Sequence, residues 1–221
     1  MNSKLSVKYE LTGFTIIYII LFVNACMLHD SWIALVSAFC GITYTLLAGK
    51  GNPICYLIGL TGSAFYIYLA FSNQFWGNCL LYLLYFVPMQ LLGFINWNKN
   101  LKKEKYEIIK SKLKSKEKMI LFPVTFLISI ATVFILEYFK DTNSVFDGFT
   151  TTFSILGMYL TVKRAIEQWY VWAGVNLLSL IMWIIIAYSG TKVYSTILMW
   201  FVYLLLSVYF WVCWKKELNK C

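Results

Sequence analysis

The 221-residue sequence predicts an all-α integral membrane protein, with a seven-helix core in a 3+1+3 arrangement of parallel repeats and one extra N-terminal transmembrane helix. Hydrophobic residues make up 60% of the chain and charged residues only 13%, against about 25% charged residues in an ordinary soluble domain. The apolar residues form long blocks, which is typical of segments that face lipid. The composition therefore excludes a water-soluble fold.

Eight apolar segments are predicted to cross the membrane. They lie at about residues 14–28, 32–48, 53–72, 75–97, 119–139, 146–162, 169–188 and 194–214. The first and the sixth are short for a bilayer of about 30 Å, which needs roughly 20 helical residues. We therefore expect residues that flank these two segments to extend them.

The positions of lysine and arginine predict that both termini are cytoplasmic. With a cytoplasmic N-terminus, all but two of the 19 Lys and Arg residues fall on the inner side, and only Lys140 and Lys192 fall outside. Nine of the inner lysines lie in one polar loop, residues 98–118. We interpret this loop as a topology determinant that rests on anionic lipid headgroups, with partner docking as the alternative.

Two blocks of three spans follow the same order, and a gapless offset of 117 residues superposes Trp97 on Trp214. A three-helix unit starts and finishes on opposite sides of the membrane, so two copies point the same way only when one more crossing joins them. Small-solute transporters use such parallel repeats, with the binding site between them near mid-membrane. The predicted regions are an N-terminal transmembrane helix in 1–31, a first repeat in 32–99, a Lys-rich cytoplasmic loop and linker helix in 100–145, and a second repeat with a C-terminal tail in 146–221.

The sequence contains no set of residues suited to catalysis, so the protein is predicted not to be an enzyme. The single histidine, His29, lies in a predicted outer loop, and the six cysteines include no C-x-x-C pair. No metal site or cofactor is therefore predicted. Because the lysines crowd into one loop and the chain ends, their charge indicates orientation and not a nucleic-acid partner.

The acidic residues favour passive transport. All ten lie at or beyond predicted helix ends, so no buried carboxylate is predicted to act as a proton relay. Ion-coupled transport ordinarily depends on ionisable groups inside the membrane. The pattern therefore favours facilitated diffusion by alternating access.

Polar and aromatic residues inside two spans are the candidate ligand contacts. Trp169, Trp172 and Asn176 are spaced i, i+3 and i+7, which puts them on one stripe of the seventh span. Gln90 in the fourth span should lie at nearly the depth of Asn176. An unpartnered amide in hydrocarbon is unfavourable, so each amide must face another helix or a hydrated cavity. The alternatives are helix–helix hydrogen bonding for the amides and an interfacial aromatic belt for Trp169.

Pro88 is the only proline predicted in the middle of a span. Its ring removes the hydrogen bond to the Leu84 carbonyl, which can kink the helix two residues before Gln90. The kink is interpreted either as static or as a hinge.

Two stretches of the sequence resemble those of a known transporter family. The segment from Glu167 to Asn176 reads EQWYVWAGVN, and the segment from Tyr85 to Gly93 reads YFVPMQLLG. Together with Trp97, they resemble the PnuC family of bacterial nicotinamide riboside transporters, and the likeness covers residues 32 to 216. The resemblance implies a fold similar to that of the SWEET sugar transporters.

On this resemblance, Trp169, Trp172, Asn176 and Gln90 contact the substrate. It further implies a homotrimer in the bacterial inner membrane that carries nicotinamide riboside by facilitated diffusion, with a cytoplasmic kinase trapping the vitamin. Thiamine, another flat aromatic cation, and riboflavin are alternative substrates because relatives in the same family are thought to carry them. A membrane scaffold or sensor that uses the Lys-rich loop is the alternative from another functional class.

Overall fold

The structure is a computed structural model that describes residues 3–28, 32–72, 76–102, 107–140, 143–188 and 194–219. Most of these residues are helical. In chain order the elements are α1 (Ser3–Leu28), α2 (Trp32–Gly49), α3 (Cys55–Ser72), α4 (Trp76–Leu81), a π-helical segment (Tyr82–Phe86), α5 (Val87–Lys99), β1 (Leu101–Lys102), β2 (Glu107–Ile108), α6 (Ser115–Tyr138), α7 (Ser144–Val162), α8 (Glu167–Tyr188) and α9 (Tyr194–Leu218). His29 lies outside the described residues.

Each of the eight predicted spans overlaps a helix. Among the described residues, five helices are long and apolar enough to cross a membrane: Cys79–Lys99, Ser115–Tyr138, Ser144–Val162, Glu167–Tyr188 and Thr196–Leu218. Three further apolar stretches are shorter: Thr12–Asn24, Leu35–Gly49 and Cys55–Tyr68. Helix α1 extends beyond its apolar part to Ser3, as expected for a short span that takes in flanking residues.

A π-helical turn directly precedes Pro88. Residues Tyr82–Phe86 form the π segment, and the Val87 amide donates to the Tyr82 carbonyl in a five-residue step. A π turn inserts one extra residue into a helix, so it relieves the contact between the proline ring and the preceding turn. Pro88 is not the only proline inside a helix, because α6 begins at Ser115 and so includes Pro123.

Six helices pack in a ring. We call α2, α3 and α5 the first half of the ring, and α7, α8 and α9 the second half. Around the ring α2 packs on α3, α3 on α5, α5 on α7, α7 on α8, α8 on α9, and α9 on α2. Helix α1 packs against α9 and α2, and α6 packs against α7. The buried apolar residues concentrate towards the ends of the ring helices that adjoin the Lys-rich loop, which we call the lysine-rich end.

Part of the Lys-rich loop folds onto the helix ends. We call residues 107–114 the strap. The Ile108 amide donates to the carbonyl of Gly51 at 3.0 Å, and the Ser111 amide donates to the carbonyl of Arg164 at 2.9 Å. Gly51 and Arg164 are both left-handed, with φ of 70° and 60°, and each follows the first helix of its half. The strap therefore joins equivalent corners of the two halves, while contact of the exposed lysines with lipid headgroups stays a prediction.

Glu167 corrects the expectation that no carboxylate is buried. It lies at a helix end, as predicted, because it is the first residue of α8, but only 1% of it is exposed. Its carboxylate accepts from Lys118 Nζ at 2.6 Å and from the Leu113 amide of the strap at 3.1 Å. The strap and α6 cover this helix end and supply both partners of the charge.

Candidate functional site

Trp172 is held between α8 and α7. Its indole Nε1 donates to Thr161 Oγ1 at 3.1 Å, and that hydroxyl donates to the Gly157 carbonyl at 2.8 Å. The indole also lies on Gly157, where an added Cβ would come within 2.9 Å of Trp172 Cε2. From the other half, Trp97 Nε1 donates to the Thr161 carbonyl at 2.9 Å. Thr161 therefore links indoles from both halves.

Trp169 faces α9 instead of α7. Its ring centre lies 5.3 Å from that of Phe210 and 5.6 Å from that of Trp214, and only 2% of the residue is exposed. Among the described residues its buried Nε1 has no hydrogen-bond partner. Trp169 is the third residue of α8, at the lysine-rich end, and it packs inside the ring instead of facing lipid as an aromatic-belt residue does.

Asn176 lies two turns further along α8 and is 5% exposed. Its Nδ2 donates to Ser207 Oγ on α9 at 2.9 Å. The Ser207 hydroxyl in turn donates to the Tyr203 carbonyl at 2.8 Å. The amide is therefore tied to α9 by its nitrogen.

Gln90 makes the corresponding bond in the first half. It is 6% exposed, and its Nε2 donates to Ser63 Oγ on α3 at 2.8 Å. Its Oε1 is buried and has no hydrogen-bond partner in the described part of the chain. A Cβ at Gly59 would lie 3.0 Å from this oxygen and 2.8 Å from the Tyr44 ring, so a glycine is needed to leave room beside the amide.

All four predicted ligand contacts pack against other helices of the ring. No hydrogen bond joins Gln90 to Asn176 among the described residues, because each amide bonds a serine of its own half. Within the α8 stripe, Trp172 contacts α7, whereas Trp169 and Asn176 contact α9. Direct contact of these residues with a ligand stays a prediction.

Other buried polar atoms near these residues were not predicted from the sequence. Tyr56 OH and Gln168 Nε2 are buried, and neither has a hydrogen-bond partner among the residues that the structure describes. The Tyr56 ring lies 5.1 Å from that of Trp97, and the Tyr44 hydroxyl approaches Met158 Sδ at 3.9 Å across the two halves. In a chain that is 19% aromatic these tyrosines have no distinguishing pattern, but Gln168 stands out as a polar residue beside Trp169.

The fold and the site together define a class of protein. A ring of apolar helices, most of them long enough to cross a membrane, encloses indoles and amides that bridge helices. Aromatic faces and amides are suited to bind a flat polar solute. The chain is a multi-pass membrane protein of the small-solute transporter class.

Comparison with known proteins gives the family. The family model described as nicotinamide mononucleotide transporter matches residues 31–216. A nicotinamide riboside transporter PnuC from Neisseria mucosa is 30% identical over 197 residues, which cover 86% of this chain and 74% of that protein. One from Haemophilus influenzae is 29% identical over 214 residues, which cover 94% and 92% of the two chains. The chain therefore belongs to the PnuC family of transporters.

The fold agrees with this family. The chain superposes on a crystal structure of the vitamin B3 transporter PnuC with a TM-score of 0.81 and 28% sequence identity. The superposition covers 96% of this chain and 92% of that chain. Nearly the whole chain is therefore similar to a solved transporter.

Proposed function

We propose that this protein carries nicotinamide riboside across the bacterial inner membrane by facilitated diffusion. The observation that carries the proposal is the set of indoles and amides inside the ring of a chain whose relatives are named for this substrate. Nicotinamide riboside has a cationic aromatic ring, a carboxamide and ribose hydroxyls. Indole faces attract such a cation, and amides hydrogen-bond its polar groups.

The charge distribution supports the riboside over the mononucleotide. Residues 51–98 and 193–214 contain no charged residue, and residues 165–191 contain no lysine or arginine. Proteins hold a phosphate group with cationic side chains or helix N-termini. The region around Gln90 and Asn176 therefore favours a substrate without a phosphate.

The same distribution supports a passive mechanism. Glu167 is the buried carboxylate described above, and it lies at the lysine-rich end in an ion pair with Lys118. A paired carboxylate at a helix end is unsuited to accept a proton in the middle of the membrane. Facilitated diffusion needs no such group.

The ring supports two parallel three-helix repeats, with α1 as the extra helix and α6 as the linker. Packing of α5 on α7 corresponds to packing of α9 on α2. The Trp97 bond to the Thr161 carbonyl has a counterpart, one residue further along the helix, in a bond from Trp214 Nε1 to the Gly49 carbonyl at 2.7 Å. We propose that equivalent residues of the two repeats lie 113 positions apart in the first two helices and 117 positions apart in the third helix. This alignment replaces the single gapless offset of 117. Consistent with this change, α8 has 22 residues and α3 has 18.

The remaining features of the proposal follow from the family resemblance and the lysine pattern. Both termini are cytoplasmic, so the lysine-rich end faces the cytoplasm. The protein works as a homotrimer, and a cytoplasmic kinase traps the vitamin after entry. Pro88 and the preceding π segment act as a hinge near Gln90, a role that the irregular helix before Pro88 supports.

The proposal is tested with purified protein in liposomes. We expect labelled nicotinamide riboside to equilibrate without a proton or sodium gradient, while nicotinamide mononucleotide remains outside. Liposomes with the Asn176→Leu variant are the matched control and should show strongly reduced flux. Accumulation that requires an ion gradient would contradict the passive mechanism. Flux of thiamine or riboflavin without flux of nicotinamide riboside would favour the alternative substrates.

A second variant separates transport from the scaffold or sensor alternative. Lys102, Lys112 and Lys116 are exposed, and their replacement by glutamine leaves the backbone bonds of the strap in place. A transporter should retain its flux in this triple variant. A protein that acts by recruiting a partner through the Lys-rich loop should instead lose its cellular activity.

A further inference from the structure

Two buried serines hold the two amides of the ring in the same way. Ser207 is 2% exposed and Ser63 is 4% exposed, and each accepts a hydrogen bond from an amide nitrogen. Ser63 lies on the second helix of the first half, and its amide partner lies on the third. In the second half the order is reversed, with Asn176 on the second helix and Ser207 on the third. Each half therefore contains one serine–amide pair between its second and third helices, with the positions of the serine and the amide exchanged.

The hydrogen-bond pattern fixes the orientation of the Asn176 amide. A serine hydroxyl has one hydrogen to donate. Ser207 gives that hydrogen to the Tyr203 carbonyl at 2.8 Å, so its oxygen can only accept from Asn176. The side-chain nitrogen of Asn176 must then face Ser207, and its Oδ1 is directed elsewhere as an acceptor.

Gln90 has the same orientation in the structure, although no donation by the Ser63 hydroxyl fixes it. Its nitrogen bonds Ser63, and within the described part of the chain its buried Oε1 has no hydrogen-bond partner. A buried acceptor without a partner is unfavourable unless a ligand or water supplies a donor. Gly59 and the Tyr44 ring lie beside this oxygen.

We propose that Ser63 and Ser207 are positioning residues that turn both amide oxygens toward the bound solute, so that the site selects a carboxamide over a carboxylate. A carboxamide has N–H groups to donate to an amide oxygen, whereas a carboxylate has only acceptors. Ribose hydroxyls both donate and accept, so they do not discriminate between the two amide orientations. This inference rests on the proposed function and adds the basis of its specificity.

The test is a ratio of two affinities. Calorimetry on purified protein measures the dissociation constants of nicotinamide riboside and of its carboxylate analogue, nicotinic acid riboside. The wild type should bind the carboxamide more tightly. Ser207→Ala frees the Asn176 amide to rotate, and Ser63→Ala frees the Gln90 amide. The variant that frees the amide facing the carboxamide should bind nicotinamide riboside about 3- to 10-fold more weakly. The same variant should show a smaller ratio between the dissociation constants of the two ligands.

Ser179→Ala is the matched control. Ser179 is a buried serine on α8, 3% exposed, and it bonds neither amide. The Ser179→Ala variant should leave the affinity ratio unchanged. Ser207→Thr should also retain the wild-type ratio, because threonine keeps the oxygen that accepts from Asn176. The inference is overturned if neither alanine variant changes the ratio, or if both ligands weaken by the same factor. Failure of the wild type to bind nicotinamide riboside at all would overturn the proposed function, and this inference with it.

Discussion

At the lysine-rich end of the ring, hydrogen bonds run between the two halves, whereas in the middle each amide bonds within its own half. Trp97 and Trp214 each donate to a carbonyl of the opposite half, and the strap joins Gly51 to Arg164. Gln90, by contrast, bonds a serine of its own half and leaves its oxygen without a partner. The indole bonds therefore close the ring at the lysine-rich end, whereas the two amides are each held within one half, and their contact with a ligand stays a prediction.

The largest expected effect is on the middle of the ring. Trp172→Ala and Asn176→Leu should each weaken binding of nicotinamide riboside by about 1–3 kcal/mol, because a buried aromatic or polar partner is lost. Calorimetry on folded protein measures this loss. Leu177→Ala, at a position on α8 that is 46% exposed, is the control. Wild-type affinity in both variants would mean that these residues only pack the helices together.

The indole bonds at the lysine-rich end should affect stability instead. Trp214→Phe leaves the buried Gly49 carbonyl without its indole donor, whereas after Trp97→Phe the Thr161 carbonyl still accepts from the Arg164 amide at 2.9 Å. We expect Trp214→Phe to lower the free energy of unfolding by about 1–2 kcal/mol and Trp97→Phe by about 0.5–1 kcal/mol, measured by denaturation in detergent. Trp32→Phe, at an exposed position, should have almost no effect. Unchanged stability in both indole variants would show that the closed end does not depend on these bonds.

The smallest expected effect concerns an ion pair at the same end with one exposed partner. The Lys110 side chain is 7% exposed and pairs with Glu217, whose side chain is 52% exposed. The Lys110 ammonium also lies 5.0 Å from the Trp214 ring centre, which remains beside it when Glu217 is changed. Glu217→Gln should therefore lower the free energy of unfolding by at most about 0.5 kcal/mol. Thermal denaturation at low and high salt measures the change. A decrease in the free energy of unfolding as large as that caused by Trp214→Phe would mean that the ion pair, and not the indole bonds, holds the lysine-rich end together.

Much of the helical fold could be predicted, because the bilayer determines how long an apolar segment must be and in which loops lysine residues collect. Helical spacing likewise predicted that Trp169, Trp172 and Asn176 share a stripe. It could not predict that Trp172 contacts α7 while Trp169 contacts α9, because periodicity gives a helix face and not the helix that covers it. The serine partners of the amides were missed for the same reason.

The strap was missed because its bonds are made by the backbone. Ile108 and Leu113 are buried, but they lie among lysines in a stretch that reads as a solvated loop. Main-chain pairing leaves no pattern of side chains, so the sequence gives no signal for it. The burial of Glu167 was missed with it, because the covering residue Leu113 belongs to the strap.

The π turn before Pro88 also changes which residues of one span share a face. Each residue of an α-helix advances by about 100°, and a π turn fits one extra residue into a single wide turn. Leu81 and Gln90 therefore stand to each other as two residues one position closer would in a regular helix. Deleting a single residue from Tyr82–Phe86 would restore a regular helix and leave both flanking faces where they are, with Gln90 still on its serine.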